Sequence, residues 1–413
     1  MNRLGRGAAV RVFLAFALAY FVSALLRAVT ATLSPVLTAE FGLHAGDLGL
    51  LAGGYFLGFA AMQLPLGHWL DRYGPRKVNT ALLAAAVLGC AVFALAQGFT
   101  ALMLARLLMG MGVSAGLMAP LTGYRRWFDA STQLRANAWM LMSGSLGMIA
   151  STLPVQWLEP LWGWRALFWA VAVLVLVAMA ALWLIVPHWQ NATKDEAACA
   201  RPEKAGGPEG SYSTIWRNAY FRRAAPLGLV SFGGMVAIQS LWAGPWMTRV
   251  GGSSPLQSAT GLFWINVSML ATFWIWGLLM PRLAARGVSV DRLVAWGLPA
   301  SFAPLALLVV GGPAWGEASF VLLALYCVLT TPAAQVQPVV GMTFPPELAG
   351  RALSAYNLVV FVGIFLVQWG IGLAVDGLRA LGLGQAAAFQ GAMGVFGALS
   401  VLSYLVFVWP RSR

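Results

Sequence analysis

One arginine stands inside the first long apolar run of the chain, which extends from Val12 to Leu37. At about 1.5 Å per helical residue, Arg27 lies roughly 22 Å from Val12, beyond the middle of a bilayer. A charge at that depth costs at least about 2.5 to 3.5 kcal/mol, so the side chain normally faces water or a partner. The alternative is that Arg27 extends along its apolar stem to the headgroups.

Acidic residues that could neutralise this arginine are missing from the apolar runs. The chain has 13 Asp and Glu residues, and all of them fall in predicted loops or at the ends of predicted spans. A guanidinium without a protein counter-ion is free to pair with a carboxylate or phosphate through two parallel hydrogen bonds. The sequence therefore predicts that Arg27 binds an anionic ligand.

The elements that position Arg27 follow from composition. Only 9% of the residues are charged and 60% are hydrophobic, whereas a soluble domain has about a quarter charged. A chain of this length has room for about a dozen membrane crossings and little else. The predicted spans cover residues 11–37, 47–70, 78–97, 99–122, 136–157, 165–187, 224–248, 256–280, 292–311, 317–341, 351–375 and 385–409.

The net charge of +13 follows membrane topology rather than nucleic-acid binding, because the basic residues lie in short gaps between apolar runs. Most of them fall in loops on one side of the membrane, and cytoplasmic loops are the ones enriched in Lys and Arg. This predicts that both the N- and the C-terminus are cytoplasmic, that the number of spans is even, and that the membrane is the cytoplasmic (inner) one. The fold class predicted is an all-α polytopic membrane protein with two pseudo-symmetric six-helix bundles. We assign the N-terminal bundle to 1–188, a flexible cytoplasmic linker to 189–223, and the C-terminal bundle to 224–413.

The turn between the second and third spans reads Gly67-His-Trp-Leu-Asp71-Arg72-Tyr-Gly74-Pro-Arg76-Lys77. This charged turn resembles the signature loop of the major facilitator superfamily. A turn that only followed the positive-inside rule would need the basic residues but not Asp71 or the glycines. The resemblance implies a latch that closes the cytoplasmic side, with Asp71 facing the start of a helix of the other half near Arg351. The residues of this latch are Gly67, Asp71, Arg72, Gly74, Arg76 and Lys77.

Two further patterns bear on the branch of the family. Arg106 and Gly110 resemble the arginine and glycine motif of the fourth span, where the guanidinium either braces backbone carbonyls or takes part in coupling. The segment from Gly144 to Pro154 lacks the glycine-proline motif of exporters, which weakens a drug-efflux function.

The surroundings of Arg27, including Glu40 and Gln63, resemble the organic-anion and organophosphate branches of the superfamily. The resemblance implies that Arg27 binds substrate. The arginine that some relatives carry in the seventh span is replaced by Gln239, with Trp242 one turn later, which favours a monoanion such as a carboxylate over a phosphate.

Further polar residues within spans either line the central cavity or hydrogen-bond to neighbouring helices. Symmetry places three of their helices near the centre. The predicted substrate-binding residues are therefore Arg27, Tyr55, Gln239, Trp242, Gln335 and Asn357.

Enzyme chemistry is not indicated. The histidines His44, His68 and His188 have no metal-ligand spacing, and no phosphate-binding loop is present, so we expect no cofactor. The cysteines, Cys90, Cys199 and Cys327, have no paired spacing and are interpreted as packing residues.

The function predicted is secondary active transport of a small organic anion by alternating access, as proton-coupled uptake. An exporter of drugs or metabolites that works as a proton antiporter, and an anion/anion exchanger, are the alternatives. The expected partners are the anionic substrate, the lipid bilayer and protons, with no nucleic acid, and the protein is expected to be a monomer.

Overall fold

A computed structural model describes residues 4–189 and 212–409 of the chain, and these residues form helices joined by turns, with no strand among them. The N-terminal half contains six helices. They are α1 (Arg6–Phe41), α2 (Ala45–Ala94), α3 (Phe99–Gly112), α4 (Met118–Trp127), α5 (Ala130–Ala150) and α6 (Leu153–Ile185). The helices after residue 211 are α7 (Tyr212–Arg217), α8 (Ala219–Arg249), α9 (Pro255–Ala285), α10 (Val290–Met342), α11 (Pro346–Ala380) and α12 (Gln385–Val408).

Several of these helices contain a reversal at a glycine. Helix α2 has 50 residues and breaks at Gly74, where φ is 78°, and α10 has 53 residues and breaks at Gly312 and Gly316, where φ is 46° and 48°. Positive φ is accessible to glycine because it lacks a Cβ atom. Each of the two helices is long enough to cross a membrane twice.

Shorter helices complete the remaining crossings of the N-terminal half. Helices α3 and α4 follow one path with a break at 113–117, and α5 continues into α6 as far as Gly163, where φ is 73°. Counted this way, the chain makes about twelve crossings, which confirms the predicted fold class.

Three details differ from the prediction. The fourth span is interrupted after Gly112 rather than continuous over 99–122, and α1 is longer than 11–37. Residues 212–223, which we assigned to the linker, form α7 and the start of α8. The rest of the predicted linker, 190–211 with Cys199, lies outside the described residues.

Charged residues distinguish the two ends of the helix bundle. We call the end that carries Arg72, Arg76 and Arg125 the basic end, and the end that carries Glu40 and Asp376 the opposite end. The first described residues belong to the basic end, where the Leu4 amide donates to the Trp127 carbonyl at 3.1 Å.

At the opposite end the two halves are in close contact along α2 and α11. The carboxylate of Asp376 on α11 accepts hydrogen bonds from the amides of Ala45 at 3.1 Å and Gly46 at 2.6 Å. These amides belong to the first turn of α2, where helical partners are missing and the helix dipole favours a negative charge. One turn deeper, a Cβ atom on Gly49 would lie 2.3 Å from the Gln368 carbonyl oxygen. The opposite end is therefore closed.

At the basic end the glycines of the same helices have no such close neighbour. A Cβ atom on Gly67 of α2 or on Gly350 of α11 would have no neighbour within 4 Å. Helix α9 is exposed on successive residues there, with Phe273 37% and Trp274 62% exposed. Because successive helical residues are about 100° apart, such a helix faces lipid on one side and the space between the halves on the other. The structure is open at the basic end.

Candidate functional site

Arg27 lies deep in the N-terminal half yet keeps part of its surface accessible. Its guanidinium interacts with the hydroxyl groups of Tyr20 and Tyr55, while its Nε atom is buried without a hydrogen-bond partner among the described residues. The neighbouring residues on α1 are small or apolar and mostly buried. Arg27 is therefore embedded in the helix bundle with part of its surface still accessible.

Tyr55 lies between two guanidinium groups. Its hydroxyl interacts with Arg27 and donates to the Ser23 carbonyl at 2.9 Å, and its ring lies 5.0 Å from the guanidinium carbon of Arg106. A neutral phenol can accept hydrogen bonds from Arg27 but cannot cancel its charge. The site is therefore strongly positive.

Arg106 on α3 is fully buried and braces the backbone beside Arg27. It donates through Nη1 to the Leu26 carbonyl at 2.7 Å and through Nε to the Leu51 carbonyl at 3.4 Å. Gly110 allows α3 to approach α2 this closely, because a Cβ atom there would lie 1.9 Å from the Tyr55 carbonyl oxygen. The geometry corresponds to the bracing alternative for Arg106.

No carboxylate lies beside Arg27 in the part of the chain that the structure describes. The ion pairs there join His44 to Asp47, Arg165 to Glu40, and Arg223 to Asp291. All three lie at the ends of helices. The positive charge of the Arg27 site therefore has no counter-ion within residues 4–189 and 212–409.

The C-terminal half faces α1 with a hydrogen-bonded polar layer on α8. Gln239 is buried and donates to the Asn266 side-chain oxygen at 2.9 Å. Trp242 is fully buried and donates from its indole nitrogen to the Gln368 carbonyl at 3.1 Å. Both side chains thus hold helices of the C-terminal half together in this state, although we predicted that they contact substrate.

The other two predicted binding residues lie on α10 and α11. Asn357 is buried and accepts a hydrogen bond from Gln337 at 2.6 Å, whereas Gln335 is partly accessible. The structure brings Asn357 to Gln337 rather than to Arg27.

An aromatic layer extends from the Arg27 site across the boundary between the halves. The ring of Tyr55 lies 6.3 Å from Phe59, and Phe59 lies 4.2 Å from Phe361 of α11. Phe361 remains partly accessible. A flat ligand bound to Arg27 would find aromatic surface at this layer.

The predicted latch residues lie at the basic end, within the N-terminal half. Asp71 is exposed, and partial desolvation raises the pKa of its carboxyl group, while the charges of His68 and Arg125 lower it. Its carboxylate makes no hydrogen bond or ion pair with the described part of α11. Gly74 forms the reversal of α2, against the side chain of Trp189.

The basic residues of the latch are held in the same half. Arg76 stacks on Trp183 at 4.5 Å and hydrogen-bonds to His188 at 3.0 Å, Arg72 lies 5.3 Å from the Tyr73 ring, and Lys77 is exposed. The contact expected near Arg351 stays a prediction for the state that is closed at the basic end.

Two residues near these features were not predicted. Tyr20 lies seven residues before Arg27, two helical turns away on the same face, so helical spacing could have identified it. Asp376 was interpreted only as one of the acids in loops or at the ends of spans, because its partners lie about 330 residues earlier in the chain.

Comparison with known proteins identifies the relationship of the chain. The model of the "Major Facilitator Superfamily" matches residues 16–368. The chain is 26% identical over 204 residues to a protein described as a probable 4-methylmuconolactone transporter of Cupriavidus pinatubonensis, a match that covers 47% of this chain and 44% of that protein.

It is also 26% identical over 292 residues to the 4-hydroxybenzoate transporter PcaK of Acinetobacter baylyi, covering 62% of this chain and 63% of that protein. The matched part of the chain thus spans less than two thirds of the length of either relative.

Among solved structures, a bacterial homologue of the human lysosomal transporter Spinster in an inward-facing, occupied conformation is similar with a TM-score of 0.74. The similarity covers 98% of this chain and 97% of the other at 18% identity, so it describes the fold alone.

Proposed function

Because this chain belongs to the major facilitator superfamily, we propose that it is a secondary active transporter of a small organic monoanion, with a carboxylate as the recognised group. The observation that carries the proposal is the partly accessible Arg27 guanidinium without a carboxylate beside it in the described residues. A cationic or neutral substrate would leave this buried charge uncompensated at every cycle.

Aromatic carboxylates are the substrate class that the surroundings favour. The Arg27 site continues through Tyr55 into the layer of Phe59 and Phe361, so a carboxylate and a ring can be bound together. A similar protein carries the name 4-hydroxybenzoate transporter, which supports the same class. In this proposal Gln335 and Asn357 contact substrate only after the halves rearrange.

In alternating access, α2 and α11 would close the central site in turn, at the opposite end in one state and at the basic end in the other. If the basic end is cytoplasmic, as the positive-inside rule indicates, the structure corresponds to an inward-facing state. Asp376 then holds the outer side closed, and Asp71, with Arg72, Arg76 and Lys77, takes the corresponding role on the cytoplasmic side. The termini are cytoplasmic and the membrane is the inner one in this scheme.

Ligand binding tests the substrate class directly. Purified protein is heated with 4-hydroxybenzoate, with its neutral amide 4-hydroxybenzamide, or with the cation benzylammonium. Wild type should be stabilised by the acid alone. Since a charged hydrogen bond contributes about 1.5 to 3 kcal/mol, Arg27→Ala should weaken binding about 10- to 150-fold.

Two further variants separate charge from folding in this test. Arg27→Lys keeps the charge without the paired donors and should retain part of the affinity. Arg286→Ala removes an exposed arginine at the basic end and should bind as wild type does. Stabilisation by benzylammonium that is unchanged in Arg27→Ala would contradict the proposal.

Coupling is proposed as proton symport, with anion exchange as the second candidate. The exchange candidate is favoured by the lack of a carboxylate beside Arg27 among the described residues, because a proton then needs another carrier. Liposomes loaded with unlabelled 4-hydroxybenzoate and lacking a pH gradient distinguish the two. Rapid labelled uptake that requires internal anion indicates exchange, whereas uptake that requires only an inward proton gradient indicates symport.

A further inference from the structure

A second cluster of arginines lies at the opposite end, far along the helices from Arg27. A cavity of about 470 Å³ opens there between α8, α11 and the turn before α2. Arg249, at the end of α8, and Arg379, near the end of α11, both line it, together with Asp376. Helices of both halves therefore contribute to one charged space.

The two arginines are close enough to affect each other electrostatically, and Asp376 acts on Arg249 as well. Neither guanidinium forms an ion pair or a hydrogen bond with the residues that the structure describes. The two oxygens of Asp376 accept hydrogen bonds from the Ala45 and Gly46 amides, and this single carboxylate balances at most one of the two guanidinium charges. The cavity thus keeps an excess positive charge and unused donors.

We infer that Arg249 and Arg379 form an anion-binding vestibule that receives a small carboxylate at the closed opposite end before the halves open. Two guanidiniums that converge on one cavity supply the paired donors that carboxylates accept. A positively charged cavity also raises the local concentration of anions and their rate of arrival. The charge of Asp376 opposes this only in part, because the N-terminal dipole of α2 compensates it.

This inference rests on the proposed anion function but concerns a separate site, so the two can fail independently. The test uses the full-length Arg27→Ala protein, in which the central site is disabled, and titrates it with 4-hydroxybenzoate by calorimetry. A weak binding event should remain. It should weaken at least 10-fold when Arg249→Gln and Arg379→Gln are added, and the matching pair of lysine substitutions should restore most of it.

The outcomes separate the two proposals. If Arg27→Ala abolishes all binding, the vestibule is overturned and the central site stands. If wild type and Arg27→Ala bind identically and the added glutamines remove that binding, the vestibule stands and the central site fails. Residual binding that survives both glutamines overturns the vestibule.

Transport gives an independent measurement, because the vestibule should affect arrival and not turnover. In phosphatidylcholine liposomes, Arg249→Gln and Arg379→Gln should raise KM about 5- to 20-fold for entry from the opposite end, with the kcat of entry unchanged. The rise in kcat/KM at low ionic strength should shrink in both variants but not in Arg286→Gln. An effect seen only when phosphatidylglycerol is added would identify a lipid headgroup as the anion and overturn a soluble one.

Discussion

The two ends of the α2 and α11 pair carry the same kind of group in opposite situations. At the opposite end, Asp376 caps the start of α2 in the other half, and the glycines beside it pack against backbone. At the basic end, Asp71 is exposed and Gly67 faces open space. The Asp376 carboxylate thus binds a helix start at the closed end, whereas the Asp71 carboxylate is exposed at the open end. From this comparison we predict that closure depends mainly on close backbone approach, and that the acid adds a smaller contribution.

The largest effect on closure is expected from placing a side chain where the backbones of α2 and α11 are in close contact. Gly372 faces α2, where a Cβ atom would lie 2.3 Å from the Ala45 carbonyl oxygen, whereas Gly370 on the same helix has no neighbour within 4 Å. Overpacking costs about 1 to 3 kcal/mol, so Gly372→Leu should reduce closure of the opposite end about 5- to 150-fold and Gly370→Leu should not. Spin labels at Gly98 and Gly384, which lie at that end, report the distance. Equal distances between the labels in the two variants would contradict the prediction that packing controls closure.

Removing the acid at the closed end should have a smaller effect in the same direction. Asp376→Ala deletes a cap that is worth about 0.5 to 2 kcal/mol, and Asp376→Asn deletes mainly the charge, worth about 0.3 to 1 kcal/mol. The separation of the same spin labels should therefore increase more with alanine than with asparagine. A larger change for asparagine would show that the side chain is not acting as a cap.

Asp71→Asn should act in the opposite sense. Since Asp71 has no partner in the described part of α11 in this state, its loss should leave the present state intact and weaken only the state closed at the basic end. We expect a shift of about 0.3 to 1 kcal/mol toward the present state, seen as slower transport with an unchanged label distance. Widening of the opposite end in this variant would contradict the assignment of Asp71 as a latch.

The smallest effect is expected for a charged pair that does not bridge the halves. Glu40 pairs with Arg165 at 2.6 Å and accepts from the Trp164 indole at 2.6 Å, all within the N-terminal half. Both charged side chains are partly exposed, so Glu40→Gln should cost about 0 to 1 kcal/mol. Thermal unfolding should show a small decrease in Tm and no change in label distance. A change in distance would mean that charge alone, and not its position across the halves, controls closure.

The architecture could be predicted from the sequence because each membrane crossing is a long run of apolar residues. The long helices reverse at a glycine, such as Gly74. The depth of Arg27 could also be predicted, since it depends only on helical rise. The environment of Trp242 could not, because its helix departs from regular spacing and turns the indole into the core. Asp376 was missed for another reason, namely that its partners are distant in sequence and consist of backbone amides.

Helix α8 is wound as a π-helix in two stretches, Leu227–Phe232 and Ile238–Trp242, and the second of these faces α1. A π turn holds about one residue more than an α turn, so the helix carries surplus backbone beside the Arg27 site. If that surplus moved along the helix by one turn, the residues it passed would rotate by about 100°, and the hydrogen bonds from Gln239 to Asn266 and from Trp242 to Gln368 would be exchanged for others. Gln239 would then leave Asn266 and hydrogen-bond to the substrate. Substrate binding would in this way change the conformation of the C-terminal half through the winding of one helix.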